Sequence, residues 1–310
     1  MFVALLLLIA GAVVLIAGAE SAVRGTARLS IAAGIPAFVL GALLFGIDLE
    51  GLSAALLAAG RGQTQIAAGE VFGTVIFLFG IAWALALLLA KGPIESPSAL
   101  MVIAPAVPLT AAALAISDQQ VTRLEGALLV FLYVGYVFAV LAEGRGLKDK
   151  TAELEHEASE VGGSVRRAAA VAVTGLAAVY VGAWVLVEGG VKLVERTSLS
   201  AGFIGAAIVG TLAGLDEILL EVLPVRRGTP ELATGNLFGT MAAFTSAVLG
   251  LAALVHPLVL DTASELAFLG GAVMYTFVSV VFLLRGRMAR PLGLLLLAAY
   301  LAWLAYASTL

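Results

Sequence analysis

The amino-acid sequence predicts an all-α polytopic membrane protein with ten transmembrane helices in two inverted five-helix repeats. Three observations carry that expectation. The 310 residues are 62% hydrophobic and only 12% charged, with a mean hydropathy of +1.10, whereas a soluble domain carries about 25% charged residues. Ten apolar runs each approach the ~20 residues that cross a bilayer. Residues 60–74, GRGQTQIAAGEVFGT, match residues 226–240, RRGTPELATGNLFGT, at 7 of 15 positions.

The runs follow in order. The first, 1–19, has no Lys or Arg before it, so it lacks the basic start of a secretory signal peptide. The second, 31–58, carries Pro36 early and acids past its centre. The third, 64–90, contains most of the first copy of the matched segment. The fourth, 98–117, holds Pro105 and Pro108 and no acid, which reads as a kinked packing helix. The fifth, 121–142, closes the first half. The second half runs through 168–187, 200–224, 229–255, 262–284 and 290–308. Helices satisfy their own backbone in lipid, which is why this class fits so apolar a chain.

These runs define a first repeat at 1–142, a polar linker at 143–167 and a second repeat at 168–310. The linker, EGRGLKDKTAELEHEASEVGGSVRR, includes His156 and is too short for a folded domain. Loop charges give the orientation. Ten spans put Arg24, Arg28, Lys91, five linker cations, Arg226, Arg227, Arg285, Arg287 and Arg290 on one side. The other side receives Arg61, Arg123, Lys192 and Arg196. The first side is expected in the cytoplasm, with both termini outside, in the plasma (inner) membrane. Five helices is an odd number, so the second copy enters the membrane inverted. Glu20, Arg24 and Arg28 echo Glu188, Lys192 and Arg196, and their spacing places each trio on one helix face. They read as solvated helix ends, with a gating role as the alternative.

Acids within the runs are few, and an ionised carboxylate in hydrocarbon costs roughly 2.5–3.5 kcal/mol or more. Asp48 and Glu50 lie in the second run, Asp216, Glu217 and Glu221 in the seventh, and Glu70 early in the third. Glu70 has Asn236 as its repeat partner. Thr74 follows Glu70 by four residues and Thr240 follows Asn236 by four, so each pair shares a helix face. Carboxylate, carbonyl and hydroxyl oxygens suit hard cations. The candidate cation-ligating residues are therefore Asp48, Glu50, Glu70, Thr74, Asp216, Glu217, Asn236 and Thr240. Glu221, close to Arg226, reads as half of a surface pair. Glu70 has two readings, a cation ligand or an acid favoured by a helix N-terminus. Gly69/Gly73 and Gly235/Gly239 have the small-xxx-small spacing of helix packing.

At these residues the chain resembles the cation/Ca²⁺ exchanger superfamily, the sodium/calcium exchanger-like antiporters. RGTPELATGNLFGT looks like the latter part of that family's second α-motif, and GRGQTQIAAGEVFGT like that of its first. The resemblance places the family glutamate of the second repeat on Glu217, and its serines on Thr74 and Thr240. The first-repeat glutamate position falls on Gly51. Asp48 stands at a serine position, and Glu50 and Asp216 at prolines. Ala213 and Gly214 replace Thr and Ser, and Glu70 an Asn. The downstream asparagines are replaced by Val75, Leu78, Met241 and Phe244. The scaffold is retained and the ion site is rewritten.

The resemblance implies a secondary active cation antiporter, exchanging a divalent cation (Ca²⁺ or similar) for Na⁺ or H⁺ by alternating access. Glu217 would be the central ligand, with Asp48 or Glu50 opposite. The alternatives are an exchanger of Mg²⁺ or Mn²⁺, or a non-transporting membrane protein on the same scaffold. The expected partners are the lipid bilayer and inorganic cations, with no nucleic acid, no cofactor beyond the transported ions, and no enzymatic role. Absence of Cys excludes disulfides and thiolate metal sites, and no nucleotide-binding glycine loop is present.

Overall fold

The apolar runs fold as helices, and their ends fall where local chemistry stops them. The computed structural model describes residues 2–33, 48–143, 165–228 and 230–310. Helix α1 is Phe2–Ala33, α2 is Leu49–Gly60 and α3 is Thr64–Leu89. Strand β1 (Ile94–Glu95) leads to α4 (Ala99–Ala115), β2 (Gln120–Val121) and α5 (Arg123–Glu143). In the second half come α6 (Val165–Val194), α7 (Ala201–Ala213) and α8 (Glu217–Arg227). Helix α9 runs from Pro230–Ala243 through a π turn at Phe244–Val248 to Leu249–Val255. Strand β3 (Leu258–Val259), α10 (Thr262–Arg285), β4 (Arg287–Met288) and α11 (Arg290–Ala307) complete the chain.

Among the described residues, six helices are long and apolar enough to cross a membrane, or seven if the α7–α8 pair, bent by 47°, is one span. Three more apolar helices are shorter, including Leu49–Gly60 and Ala99–Ala115. The expected runs 1–19 and 31–58 are drawn differently. Helix α1 continues through the polar stretch Glu20–Arg28 to Ala33, because no proline interrupts it. Helix α2 starts only at Leu49, where the Asp48 side chain caps it. Pro36 lies outside the described residues, as do His156 and the linker from 144 to 164. Helix α4 is interrupted at Ala104–Pro105, where the sequence predicts a kink.

The 166-residue echo reaches well beyond the matched letters. The first part of α3, Thr64–Phe77, and the π turn at Leu78–Ala82 recur at that offset as Pro230–Ala243 and Phe244–Val248. Trp83–Leu89 recurs as Leu249–Val255. Gly62 (φ 73°) and Gly228 (φ 90°), again 166 apart, hold the left-handed turns before α3 and α9, a conformation that glycine adopts at no steric cost.

Small residues set the packing. Glycines at seven-residue intervals on α1, Gly11, Gly18 and Gly25, bring its backbone against Leu186, Val179 and Ala172 of α6. The two helices are therefore antiparallel, in the register of a two-stranded coiled coil. A Cβ on Gly73 would fall on the Ala206 backbone, and one on Gly205 would meet the Ile66 carbonyl at 2.5 Å. Helices α3 and α7 thus touch backbone to backbone. Helix α3 is buried along most of its length, with Phe72, Phe79 and Trp83 in the core. Helices α1 and α5 instead expose Phe2, Ile9, Leu128 and Phe138, surface suited to lipid.

Polar clips join the two halves. Strand β1 pairs with β4 and β2 with β3, both antiparallel. Arg61, after α2, pairs with Glu188 of α6, which also binds Lys192 at 2.6 Å. The Arg61 guanidinium lies 5.7 Å from the Trp184 ring centroid, a cation–π contact. Arg123 donates to the Leu254 carbonyl, and Arg290 to the Ala90 carbonyl at 2.9 Å.

Gly73→Val should destabilise the protein by about 1–3 kcal/mol or more, because the obstructing atoms are backbone. Gly92→Val, at an exposed site with nothing within 4 Å, should leave stability unchanged. Thermal unfolding in detergent compares the two; equal stability would contradict the backbone contact.

Candidate functional site

Two helix N-termini and two helix middles form the polar region. At the start of α2, Asp48 Oδ1 accepts from the backbone N–H groups of Glu50 (2.8 Å) and Gly51 (3.0 Å). The acid is here because the helix starts here, and a capping carboxylate also suits the positive end of the helix dipole. At the start of α8, the chain turns at Gly214–Asp216, placing Asp216 and Glu217 at the break between α7 and α8. A broken helix in a membrane is tolerated where its backbone is buried in protein or lines a cavity.

The middles of α3 and α9 supply the rest. Glu70 is fully buried and lies beyond the first turn of α3, so the helix-terminus explanation of this acid does not hold. Thr74 donates to Glu70 Oε1 at 3.3 Å and lies 3.4 Å from the Gly210 carbonyl of α7. On α9, the Asn236 amide donates to Glu217 Oε2 (2.5 Å) and to Glu221 Oε1 (3.1 Å), and Thr240 donates to Glu217 Oε1 (3.4 Å). Asp48 lies within electrostatic range of Glu50, Glu70, Asp216 and Glu217, which joins the two groups. All eight sequence-predicted residues therefore belong to one region.

Glu221 corrects the sequence reading. It is no surface partner of Arg226; it is completely buried and shares the Asn236 amide with Glu217. The signal was its spacing of four from Glu217, which puts both on one helix face. Proximity to Arg226 in sequence hid it.

Charge balance distinguishes the site. Glu50, Glu70, Glu217 and Glu221 are buried, and among the residues whose side chains are described no Lys, Arg or His is. One oxygen each of Asp48, Glu70, Asp216 and Glu221 is buried with no hydrogen-bond partner among the described residues. Among these residues no three acidic or histidine side chains already converge as a metal cage. The oxygens stand as an Asp48–Glu70–Thr74 group beside a Glu217–Glu221–Asn236–Thr240 group. Close buried carboxylates cannot all ionise cheaply without a positive charge between them, and cations or protons are the available sources.

Comparison with known proteins gives the wider setting. A family model described as sodium/calcium exchanger protein matches residues 3–142 and 167–309. The inner membrane protein YrbG of Escherichia coli is 26% identical over 324 residues, covering 98% of this chain and 97% of that protein. Among solved structures, the sodium-calcium exchanger NCX_Mj aligns with a TM-score of 0.61 and 21% identity, covering 97% of each chain. An H⁺/Ca²⁺ exchanger, CAX, aligns with a TM-score of 0.73 and 16% identity, covering 99% of this chain and 85% of that one. Both likenesses are likenesses of fold.

Asn236→Leu would strip Glu217 and Glu221 of their shared donor. Leaving buried polar groups unsatisfied costs about 1–3 kcal/mol, more when they are charged. Thermal unfolding of the purified variant should show that loss; unchanged stability would contradict the shared hydrogen bond.

Proposed function

The chain belongs to the sodium/calcium exchanger protein family, and from that premise we propose a secondary active antiporter that exchanges a divalent cation, Ca²⁺ or similar, for Na⁺ or H⁺ by alternating access. It is an integral membrane transporter and not an enzyme. The observation that carries the proposal is the set of buried carboxyl groups of Glu50, Glu70, Glu217 and Glu221, with no buried base among the residues whose side chains are described. A permanently anionic pocket in hydrocarbon is costly. A pocket whose charge is met in turn by two different cations is what an exchanger requires.

Glu217 is assigned as the central ligand, with Thr240 and Asn236 holding its carboxylate. Asp48, Glu50, Glu70 and Asp216 supply the further acidic oxygens, with Thr74 on Glu70. Ca²⁺ takes six to eight oxygens at 2.3–2.6 Å in flexible geometry. Alternating access follows from two inverted five-helix repeats of ten spans in total. Support comes from the antiparallel packing of α1 and α6, which open the two halves. The clips between halves add to it. Each joins residues that the ten-span alternation puts on one face of the membrane: β1 with β4, β2 with β3, Arg61 with Glu188, Arg123 with Leu254, and Arg290 with Ala90. With the linker in the cytoplasm, both termini face outward across the inner membrane.

The test is ion-dependent flux in proteoliposomes across Ca²⁺, Mg²⁺, Mn²⁺ and Na⁺, with and without a pH gradient. Glu217→Gln should abolish uptake while the protein remains folded, and full activity in that variant would sink the site assignment. Acidification should inhibit wild-type uptake, since carboxylates must shed protons to bind a cation. Competition among the divalent ions in the same vesicles identifies the substrate.

A further inference from the structure

The two repeats place their acids differently. In the second repeat the acid stands on the helix that starts at the break, Glu217 on α8, and the facing helix α9 offers an amide, Asn236. At the equivalent positions of the first repeat, 166 residues earlier, α2 has Gly51 and α3 has Glu70. The structure shows what the exchange does. A Cβ on Gly51 would lie 2.9 Å from Glu70 Oε1, 2.8 Å from Asp48 Oδ2 and 2.5 Å from the tip of the Phe244 ring. The space that a residue-51 side chain would enter is already filled by Glu70, Asp48 and Phe244. Glu70 reaches it while completely buried, and its Oε2 has no hydrogen-bond partner among the described residues. Phe244 has Leu78 as its repeat equivalent, so the ring belongs to the same asymmetry.

We propose that the first repeat's cation-ligating carboxylate has moved from α2 to α3. In the proposed site Glu70 is the acid opposed to Glu217, and Gly51 is the specificity-determining position that makes room for it. The proposal rests on the exchanger reading above and deepens it: it selects Glu70 over Glu50 as the acid opposed to Glu217. It also gives the site a mixed geometry. One acid comes from a helix N-terminus and the other from a helix middle, where the π turn beginning at Leu78 follows. A ligand on a continuous, buried helix is held more rigidly than one at a helix break, and rigid cavities favour ions by size.

The test uses purified full-length protein. Cation-induced thermal stabilisation is titrated separately with Ca²⁺, Mn²⁺, Mg²⁺ and Na⁺, alongside vesicle flux. Glu70→Gln is nearly isosteric and should weaken the stabilising cation by about a hundredfold or more, beyond the typical loss of an outer-shell partner. Gly51→Ala should impair binding while leaving every acid in place. In the variant Gly51→Glu/Glu70→Asn/Phe244→Leu, the first two changes give the first repeat the acid and amide of the second, and the third replaces the obstructing ring by the leucine of its repeat equivalent, Leu78. This variant should recover much of the cation response that Glu70→Gln loses. A wild-type response in Glu70→Gln, with loss in Glu217→Gln, overturns this proposal and leaves the exchanger reading standing. A folded triple variant that stays unresponsive overturns the relocation. Wild-type protein indifferent to every ion removes the exchanger reading itself.

Discussion

Buried carboxyl groups, with no buried base among the residues whose side chains are described, are the constraint on which the rest of this structure depends. Hydrocarbon and packed protein penalise an isolated carboxylate heavily, yet α2, α3 and α8 bring four glutamates and two aspartates together. The local architecture moderates that cost at each acid. Asp48 caps α2, Thr74 and Thr240 donate to Glu70 and Glu217, and one Asn236 amide serves two carboxylates. These devices orient oxygens without neutralising them. Protons or cations can meet the charge of these carboxyl groups, and an antiporter works with that chemistry.

The packing serves the same end. Glycines let α3 and α7 meet backbone to backbone, which puts the Thr74 hydroxyl within 3.4 Å of the Gly210 carbonyl. The break after α7 then turns Asp216 and Glu217 toward Asp48. Helices α3 and α9 form the interior, while α1 and α5 offer apolar side chains outward. The clips between the halves lie beyond the apolar centre, where Arg61, Glu188, Arg123 and Arg290 reach polar partners.

Much of this was legible in the sequence, because a bilayer leaves few choices. Runs 64–90, 262–284 and 290–308 fall within a residue of α3, α10 and α11 at either end, since length and hydropathy fix such helices. The echo at 60–74 marked the segment whose backbone, π turn included, recurs 166 residues later. Other features depend on spatial neighbours that one chain does not reveal. Glu221 lay beside Arg226 in sequence but beside Asn236 in space. Glu70 had two readings, a helix-start acid or a cation ligand, and its burial beyond the first turn of α3 removes the first. The seven-residue glycine ladder of α1 acquires meaning only against α6. The asymmetry between Gly51 and Glu217 was visible as letters, but that Glu70 and Phe244 occupy the space beside Gly51 emerges only in three dimensions.

The buried carboxylates are proposed to bind an exchangeable cation in competition with protons. The most direct measurement is calorimetric titration of the purified protein with each candidate cation, in two buffers of different ionisation enthalpy. A saturable heat is expected for at least one cation, with a buffer-dependent part from protons released as carboxylates take up the ion. No saturable heat with Ca²⁺, Mn²⁺, Mg²⁺ or Na⁺ would contradict it.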